Sequence, residues 1–207
     1  MTNIAINSPI GELEWATIDG EGKDDLQGVK KYNITVVLDE AEATEFKAQA
    51  DAFWEDNKPK GAGKPKTTGY YPHKVKNLEK SKEAGEPIYD MTGKTALQFK
   101  TNTTFPNGNA KVVKIFNSKG AEVSLMGKKI GNGSRGRVGG AMGIYNINKA
   151  SQGVTLYLNS VQLTKFVEYT GNSFDDISEA DGEDGFDGVE DSMGGIDDKQ
   201  EVDRPRI

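Results

Sequence analysis

Residues 134–148 read SRGRVGGAMGIYNIN, fifteen residues that alternate in character and show no helical repeat. Val138, Met142 and Ile144 take one parity, while Arg135, Arg137, Gly139, Ala141, Gly143 and Tyr145 take the other. A strand turns successive side chains to opposite faces. One face of this segment therefore packs a core, and the other presents two guanidinium groups, a floor of small residues and an aromatic ring. Such a floor lets a flat ligand approach the backbone; alternatively, the glycines serve only the tight curvature of a barrel wall. A strand this long and this rich in glycine excludes most helical architectures. With 25 glycines in 207 residues and no cysteine, the composition points the same way, to a mainly β domain with many turns and bulges and no disulfides.

The rest of the chain supplies partners for that strand. GELEWATI (11–18) sets Leu13, Trp15 and Thr17 against Glu12, Glu14 and Ala16, the pattern of a half-buried strand. KKYNITVVL (30–38) follows, with Tyr32, Ile34, Val36 and Leu38 on one face. The period then changes: in 39–57, Phe46, Ala50, Phe53 and Trp54 fall at helical spacing, and Asp39 with Glu42 three residues on forms a capping-box signature. KPKGAGKPK (58–66) reads as a flexible basic loop that TGYYPHKVK (68–76) continues. KTALQFKTNTTF (94–105) is a strand with Leu97 and Phe99 inward, and KVVKIFN-SKG-AEVSLM (111–126) a hairpin. In GVTLYLNSVQLTKFVEY (153–169) the apolar parity shifts between Leu158 and Val161, which predicts a bulge near Asn159 and Ser160. Two strands, a helix and several more strands fit a small closed barrel: an OB-fold, with an open β-sandwich as the alternative.

Charge divides the chain into blocks. Residues 1–57 carry net −9, 58–150 net +13, 151–170 are neutral, and 171–207 carry net −10. The segment 173–198 contains eleven Asp or Glu and no basic residue, and with scattered glycine and little apolar content it predicts a disordered acidic tail. The division is therefore a 1–170 domain followed by a 171–207 tail. The first fifteen residues lack a signal-peptide pattern, and no apolar stretch approaches the ~20 residues of a membrane span, so a soluble, intracellular protein is expected.

Several motifs fail on context. GNGSRG (131–136) satisfies a dinucleotide-binding glycine string, but the segment after it alternates as a strand where that fingerprint needs a helix. GAGKP (61–65) has Lys58 in place of the first P-loop glycine and Pro65 in place of Ser/Thr. The acidic tail lacks the ligand spacing of a calcium loop. His73 is the only histidine, so neither a His-based triad nor a His/Cys metal site can be assembled. No catalytic residue, metal or cofactor is expected.

What remains is the interleaving of aromatic and basic residues through the middle block. Tyr70, Tyr71, Lys74, Lys76, Lys100, Lys111, Lys114, Lys128, Lys129, Arg135, Arg137 and Tyr145 are the candidate nucleic-acid contacts. Lysine and arginine hold phosphates, and tyrosine stacks on bases of any sequence. The helix is acidic and unsuited to a major groove, which favours single strands.

The chain resembles the single-stranded DNA-binding proteins of tailed bacteriophages, the replication proteins of the T-odd podophages in particular. The likeness is clearest in IGNGSRGRVGGAMGIYNINKASQGVTLYLNSVQL (130–163) and in the helix followed by a Lys/Pro loop, WEDNKPKGAGKPK. It implies a five-stranded Greek-key OB barrel with one capping helix, a homodimer, and a role in phage DNA replication, recombination and repair in the cytoplasm of an infected bacterium. It also implies an acidic tail that recruits the phage DNA polymerase and helicase–primase. Tyr145 matches a DNA-contacting tyrosine of the family, whereas the family's second aromatic, two residues on, is Ile147 here. The family's tails end on an aromatic residue; this chain ends DRPRI. In the tail, Phe174, Asp175, Asp176, Asp184, Phe186 and Asp187 are the candidate partner contacts, since apolar anchors among acids suit recognition better than solubility alone. A 37-residue tail has a reach of about 30–36 Å, enough to cross a small barrel and compete with DNA for the basic face. A different class remains open: an acidic-tailed chaperone or DNA mimic that binds no DNA of its own.

Overall fold

A computed structural model of the chain describes residues 3–25, 27–148 and 151–171. The strands are β1 (Asn3–Asn7), β2 (Gly11–Thr17), β3 (Lys23–Asp24), β4 (Lys30–Leu38), β5 (Thr67–Thr68), β6 (Tyr70–Asn77), β7 (Ile88–Asn102), β8 (Lys114–Phe116), β9 (Ser134–Asn148) and β10 (Ser151–Lys165). Two helices interrupt them, α1 (Glu40–Asn57) and α2 (Leu78–Ala84).

Five of these strands close a ring. β2 pairs with β4, β4 with β7, β7 with β10, β10 with β9, and β9 returns to β2. Every pairing is antiparallel except β7 with β10. That circuit is the five-stranded Greek-key barrel of an OB-fold. Closure removes the sheet edges, and the barrel fills with alternate side chains from all five strands: Leu13, Ile34, Val36, Leu97, Phe99, Val138, Met142, Leu156 and Val161 are all buried. The alternation read from the sequence sets these inward positions.

The long strands β9 and β10 approach each other unusually closely. A Cβ at Gly140 would lie 1.9 Å from the Tyr157 carbonyl oxygen, and one at Gly136 would lie 2.2 Å from that of Gln162. These two glycines serve the packing of the barrel wall. The bulge expected near Asn159 is present, because the β9–β10 register skips a residue between Leu158 and Ser160.

Helix α1 packs against β4, β7, β9 and β10 and closes one end of the barrel. It buries Ala43, Phe46, Ala50, Phe53 and Trp54, the face its spacing predicted, and the Glu42 carboxylate accepts the Asp39 N–H at 3.2 Å. Burying each of the three aromatic rings is worth about 1.5–3 kcal/mol, so truncating Phe46 would loosen the barrel end.

Three expectations need correction. TGYYPHKVK does not prolong the loop: residues 70–77 form β6, paired along β7, with a register shift between Pro72 and Lys74. Lysine and proline are tolerated there because β6 pairs with β7 alone. Helix α2 follows directly, capped by the Asn77 side chain, which accepts the Lys80 N–H at 3.0 Å, and ended by Gly85 at φ +70°. The 111–126 hairpin is reduced to β8 and a single bridge, Phe116 to Glu122, while β8 pairs in parallel with β10. Finally, β2 keeps its alternation only as far as Glu14. A bulge between Glu14 and Thr17 places Trp15 at φ +53° and leaves the residue 63% exposed rather than in the core.

The acidic segment, with Phe174, Asp175, Asp176, Asp184, Phe186 and Asp187, lies outside the described residues. Among the described residues no helix is long and apolar enough to cross a membrane.

Candidate nucleic-acid interface

The outer surface of the barrel follows from the same alternation. Where β4, β7, β10, β9 and β1 lie side by side, their registers place Asn33, Lys100, Tyr157, Ala141 and Ala5 in one row across five strands. Adjacent strands lie about 4.8 Å apart, so the row spans about 19 Å. On one side of it come Thr155, Gly143 and Asn3; on the other come Ser160, Gly139 and Asn7, and beyond them Gln162 and Arg137. These flanking positions contain no carboxylate.

Tyr157 is central to this surface and is absent from the sequence-derived candidates. It stands between Leu156 and Leu158, both buried, so its parity points outward. The small-residue floor is also narrower than the sequence suggests. A Cβ at Gly143 would meet Asn3 Oδ1 at 2.3 Å and the Tyr157 ring at 2.8 Å, and one at Gly139 would meet Ser160 Oγ at 2.6 Å. The flat group that the floor accommodates is the protein's own phenol ring.

The candidate residues separate by location. Lys100 is exposed beside Tyr157 and makes no ion pair among the described residues. Arg137 donates from Nε to Gln162 Oε1 at 2.8 Å, and Gln162 Nε2 in turn donates to the Asn117 carbonyl at 3.0 Å. That chain fixes the guanidinium at the rim of a cleft of about 210 Å³, whose lining includes Asn7, Phe116 and Ser160. Lys114, across from Ser160, pairs with Glu122 at 2.9 Å. Tyr145 is half-buried, its hydroxyl 3.3 Å from that of Thr67. Arg135 is exposed but faces Glu12 across the β2–β9 ladder.

Tyr71 lies further along the outer surface, beside Ala96 on β7 and 40% exposed. Burial pushes its phenol above the ordinary tyrosine value, against a hydrogen bond with Thr35 that lowers it, and the nearby Glu14 charge adds a smaller upward push. Tyr70, its neighbour, turns the other way. Its ring packs on the core, its hydroxyl donates to Asp51 at 3.0 Å, and Lys47 sits 5.9 Å over the ring. Burial and then Asp51 raise its pKa, so this tyrosine is tied to α1.

The remaining lysines are spread around the molecule. Lys74 stacks 4.7 Å over Tyr89, and Lys76 pairs with Tyr89 on the same β6–β7 ladder. Lys111 donates to Thr101 Oγ1 at 2.8 Å and lies 5.0 Å over Phe105. Lys128 pairs with Glu168 at 2.7 Å, and Lys129 is exposed in the adjoining turn. The structure thus brings Lys100, Lys114, Arg137 and Tyr145 to the strands around Tyr157 and leaves Tyr70, Lys111, Lys128 and Lys129 outside that group. His73 is buried, its ring nitrogens 2.9 Å from Thr92 Oγ1 and 3.2 Å from Glu14 Oε2. Among the described residues no cluster of three or more His, Cys, Asp or Glu is placed to hold a metal ion.

No protein-family model matches the sequence, nor does any curated protein. Solved structures do match. A single-stranded DNA-binding protein encoded by bacteriophage T7 aligns over 91% of this chain and 98% of its own, with a TM-score of 0.51 at 20% identity. The single-stranded DNA-binding protein of bacteriophage Enc34, in complex with single-stranded DNA, aligns over 81% of this chain and 89% of its own, with a TM-score of 0.56 at 16% identity. A C-terminal truncation of the Enc34 protein gives 0.56 at 15% identity, over 79% of this chain and 87% of its own. The closed barrel built here from β2, β4, β7, β9 and β10 is an OB-fold, the fold this chain shares with the T7 and Enc34 proteins.

Proposed function

We propose that the chain is a sequence-independent single-stranded DNA-binding protein, without enzymatic activity, that coats and protects strands during phage DNA replication and recombination. The observation that carries this reading is the row Asn33–Lys100–Tyr157–Ala141 across the barrel, with Arg137 and Tyr145 on the same strands. Cations follow phosphates and phenol rings stack on bases of any sequence. Amides and hydroxyls such as Asn3, Asn7 and Ser160 supply hydrogen bonds to either. A half-exposed ring on a wall of strands meets only bases whose faces are free, which a duplex withholds. The long helix α1 offers no basic recognition face, with acids in its first turn and no basic residue in its last, and α2 is only seven residues long. The phage proteins that share the fold, one solved with single-stranded DNA, support the same ligand.

In this reading residues 1–170 form the DNA-binding domain, and 171–207 act as a tethered polyanion that competes for the same face. DNA displaces the tail and frees it for the phage polymerase and helicase–primase. The protein works as a homodimer in the cytoplasm of the infected bacterium. The test is an anisotropy titration of labelled oligo-dT with the full chain and with residues 1–170, at several salt concentrations. Both are expected to bind, the shorter chain more tightly, with log K falling by about 0.7 per phosphate contacted as log[salt] rises. If neither form binds at low salt, the reading is overturned and an acidic-tailed interaction protein is favoured.

A further inference from the structure

We infer that Trp15 is a base-stacking residue, held outside the barrel by its own backbone so that its indole receives an unpaired nucleobase at the end of the Asn33–Lys100–Tyr157 row. The inference rests on the single-strand reading above and extends it to a residue that the β2 pattern assigns to the core.

Three observations meet at this residue. Its φ of +53° lies in the left-handed region, which large side chains avoid, so something must hold it there. The residue is 63% exposed, in a chain whose other tryptophan, Trp54, is 2% exposed. Its peptide groups are gripped from both sides: the Trp15 N–H donates to Asn132 Oδ1 at 3.0 Å, and the Asn33 side chain donates to the Trp15 carbonyl at 2.8 Å. The preceding residue is anchored too, since the Glu14 carboxylate meets His73 Nε2 at 3.2 Å. Asn132 belongs to the GNGS turn that leads into β9, so that glycine string has a structural task here unrelated to nucleotides.

A barrel strand that keeps its alternation would have placed this indole among Leu13 and Ile34. The bulge instead spends conformational strain to show a large aromatic surface to solvent, which stability alone does not reward. What it gains is position. Asn33, which holds the Trp15 carbonyl, is the first member of the outer row, and Lys100 and Tyr157 follow on the next two strands. Along the row, through β4 and β7, β2 lies three strand spacings from β10, about 14 Å along the sheet. A strand running across the barrel would stack one base on Trp15 and another on Tyr157, with Lys100 between them for the intervening phosphate.

The experiment uses the full-length chain, oligo-dT, and the variants Trp15→Phe and Trp15→Ala. Binding is followed by anisotropy and by tryptophan emission, with thermal unfolding confirming that each variant folds. Oligo-dT is expected to quench the emission of the wild type and to leave that of Trp15→Phe, which reports Trp54 alone, unchanged. Trp15→Ala is expected to bind about 5- to 150-fold more weakly, the loss of one base stack. Its salt dependence should match the wild type, because no phosphate contact is removed. Trp15→Phe, which keeps a ring, should bind within about threefold of the wild type. If oligo-dT binds while Trp15 emission is unquenched, or if Trp15→Ala binds as tightly as the wild type, the inference is overturned and the single-strand reading stands. If the wild type binds no oligo-dT, both fall together.

Discussion

Gly140→Ala tests the closeness of the wall that carries the candidate interface. The added methyl would sit 1.9 Å from the Tyr157 carbonyl oxygen, where a Cβ essentially never comes within 3.0 Å of a neighbour. The obstacle is backbone, flanked by the buried Leu156 and Leu158, so it cannot rotate away as a side chain would. β9 and β10 must therefore separate by about 1 Å at this point, or the ladder must break locally. Overpacking of this kind costs about 1–3 kcal/mol. Stretching the neighbouring ladder hydrogen bonds adds about 1–3 kcal/mol for a buried polar group left poorly paired. The combined loss of about 2–6 kcal/mol is a large share of the ~5–15 kcal/mol that stabilises a typical domain. Urea denaturation followed by far-UV circular dichroism measures it directly, with Gly63→Ala as the control. Gly63 lies in the 58–66 loop, with nothing near its would-be Cβ and no positive φ, so the control should stay within about 0.5 kcal/mol of the wild type. A Gly140→Ala protein that unfolds within about 0.5 kcal/mol of the wild type would refute the reasoning, because the two strands would then have room for a methyl group.

Three further outcomes are expected. Tyr157→Ala should weaken oligo-dT binding by about 1–3 kcal/mol at every salt concentration, while Tyr157→Phe, which keeps the ring, should bind nearly as the wild type does; anisotropy titrations separate the two. Lys100→Ala should instead lower the slope of log K against log[salt] by about 0.7, the signature of one lost phosphate on a single strand. Asp25 is held at a pKa of about 2, chiefly by its hydrogen bond with the Lys31 ammonium and then by the Val29 and Gln27 N–H groups. Because the folded value lies below the unfolded one of about 3.9, this carboxylate contributes stability above pH 4 and loses it as pH falls towards 2. Asp25→Asn should flatten that part of the stability–pH curve, and a carboxylate titrating near 3.9 in the folded protein by NMR would contradict the assignment.

Where alternation was strong, the sequence was sufficient. Residues 134–148 form β9 as their parity requires, the parity break after Leu158 marks a real bulge, and the spacing of Phe46, Ala50, Phe53 and Trp54 fixes the buried face of α1. Each of these signals comes from a buried face, and burial is what writes a period into a sequence. Which candidates share one surface was only partly legible. Lys100, Arg137, Tyr71 and Tyr145 stood out because charged and aromatic residues interleave there, but the same pattern also drew in Tyr70, which faces α1, and Lys128, which faces Glu168. Nothing local distinguishes adjacent tyrosines that point to opposite sides of a strand not recognised as one.

What the sequence by itself determined, then, is the inventory: a mainly β chain, one long amphipathic helix, a basic middle between acidic ends, and no cysteine with a single histidine. Tertiary structure alone decided which outward residues share a surface. Asn33, Lys100, Tyr157 and Ala141 lie far apart in the chain and become neighbours only through the registers of three strand pairings. It also decided Trp15, whose side follows from a bulge held by Asn132 and Asn33, more than a hundred residues and eighteen residues away. The physical reason is the same in both cases. Hydrophobic alternation is a property of one strand and its two faces, whereas register and bulges are fixed by hydrogen bonds to other strands, and those leave no period in the sequence.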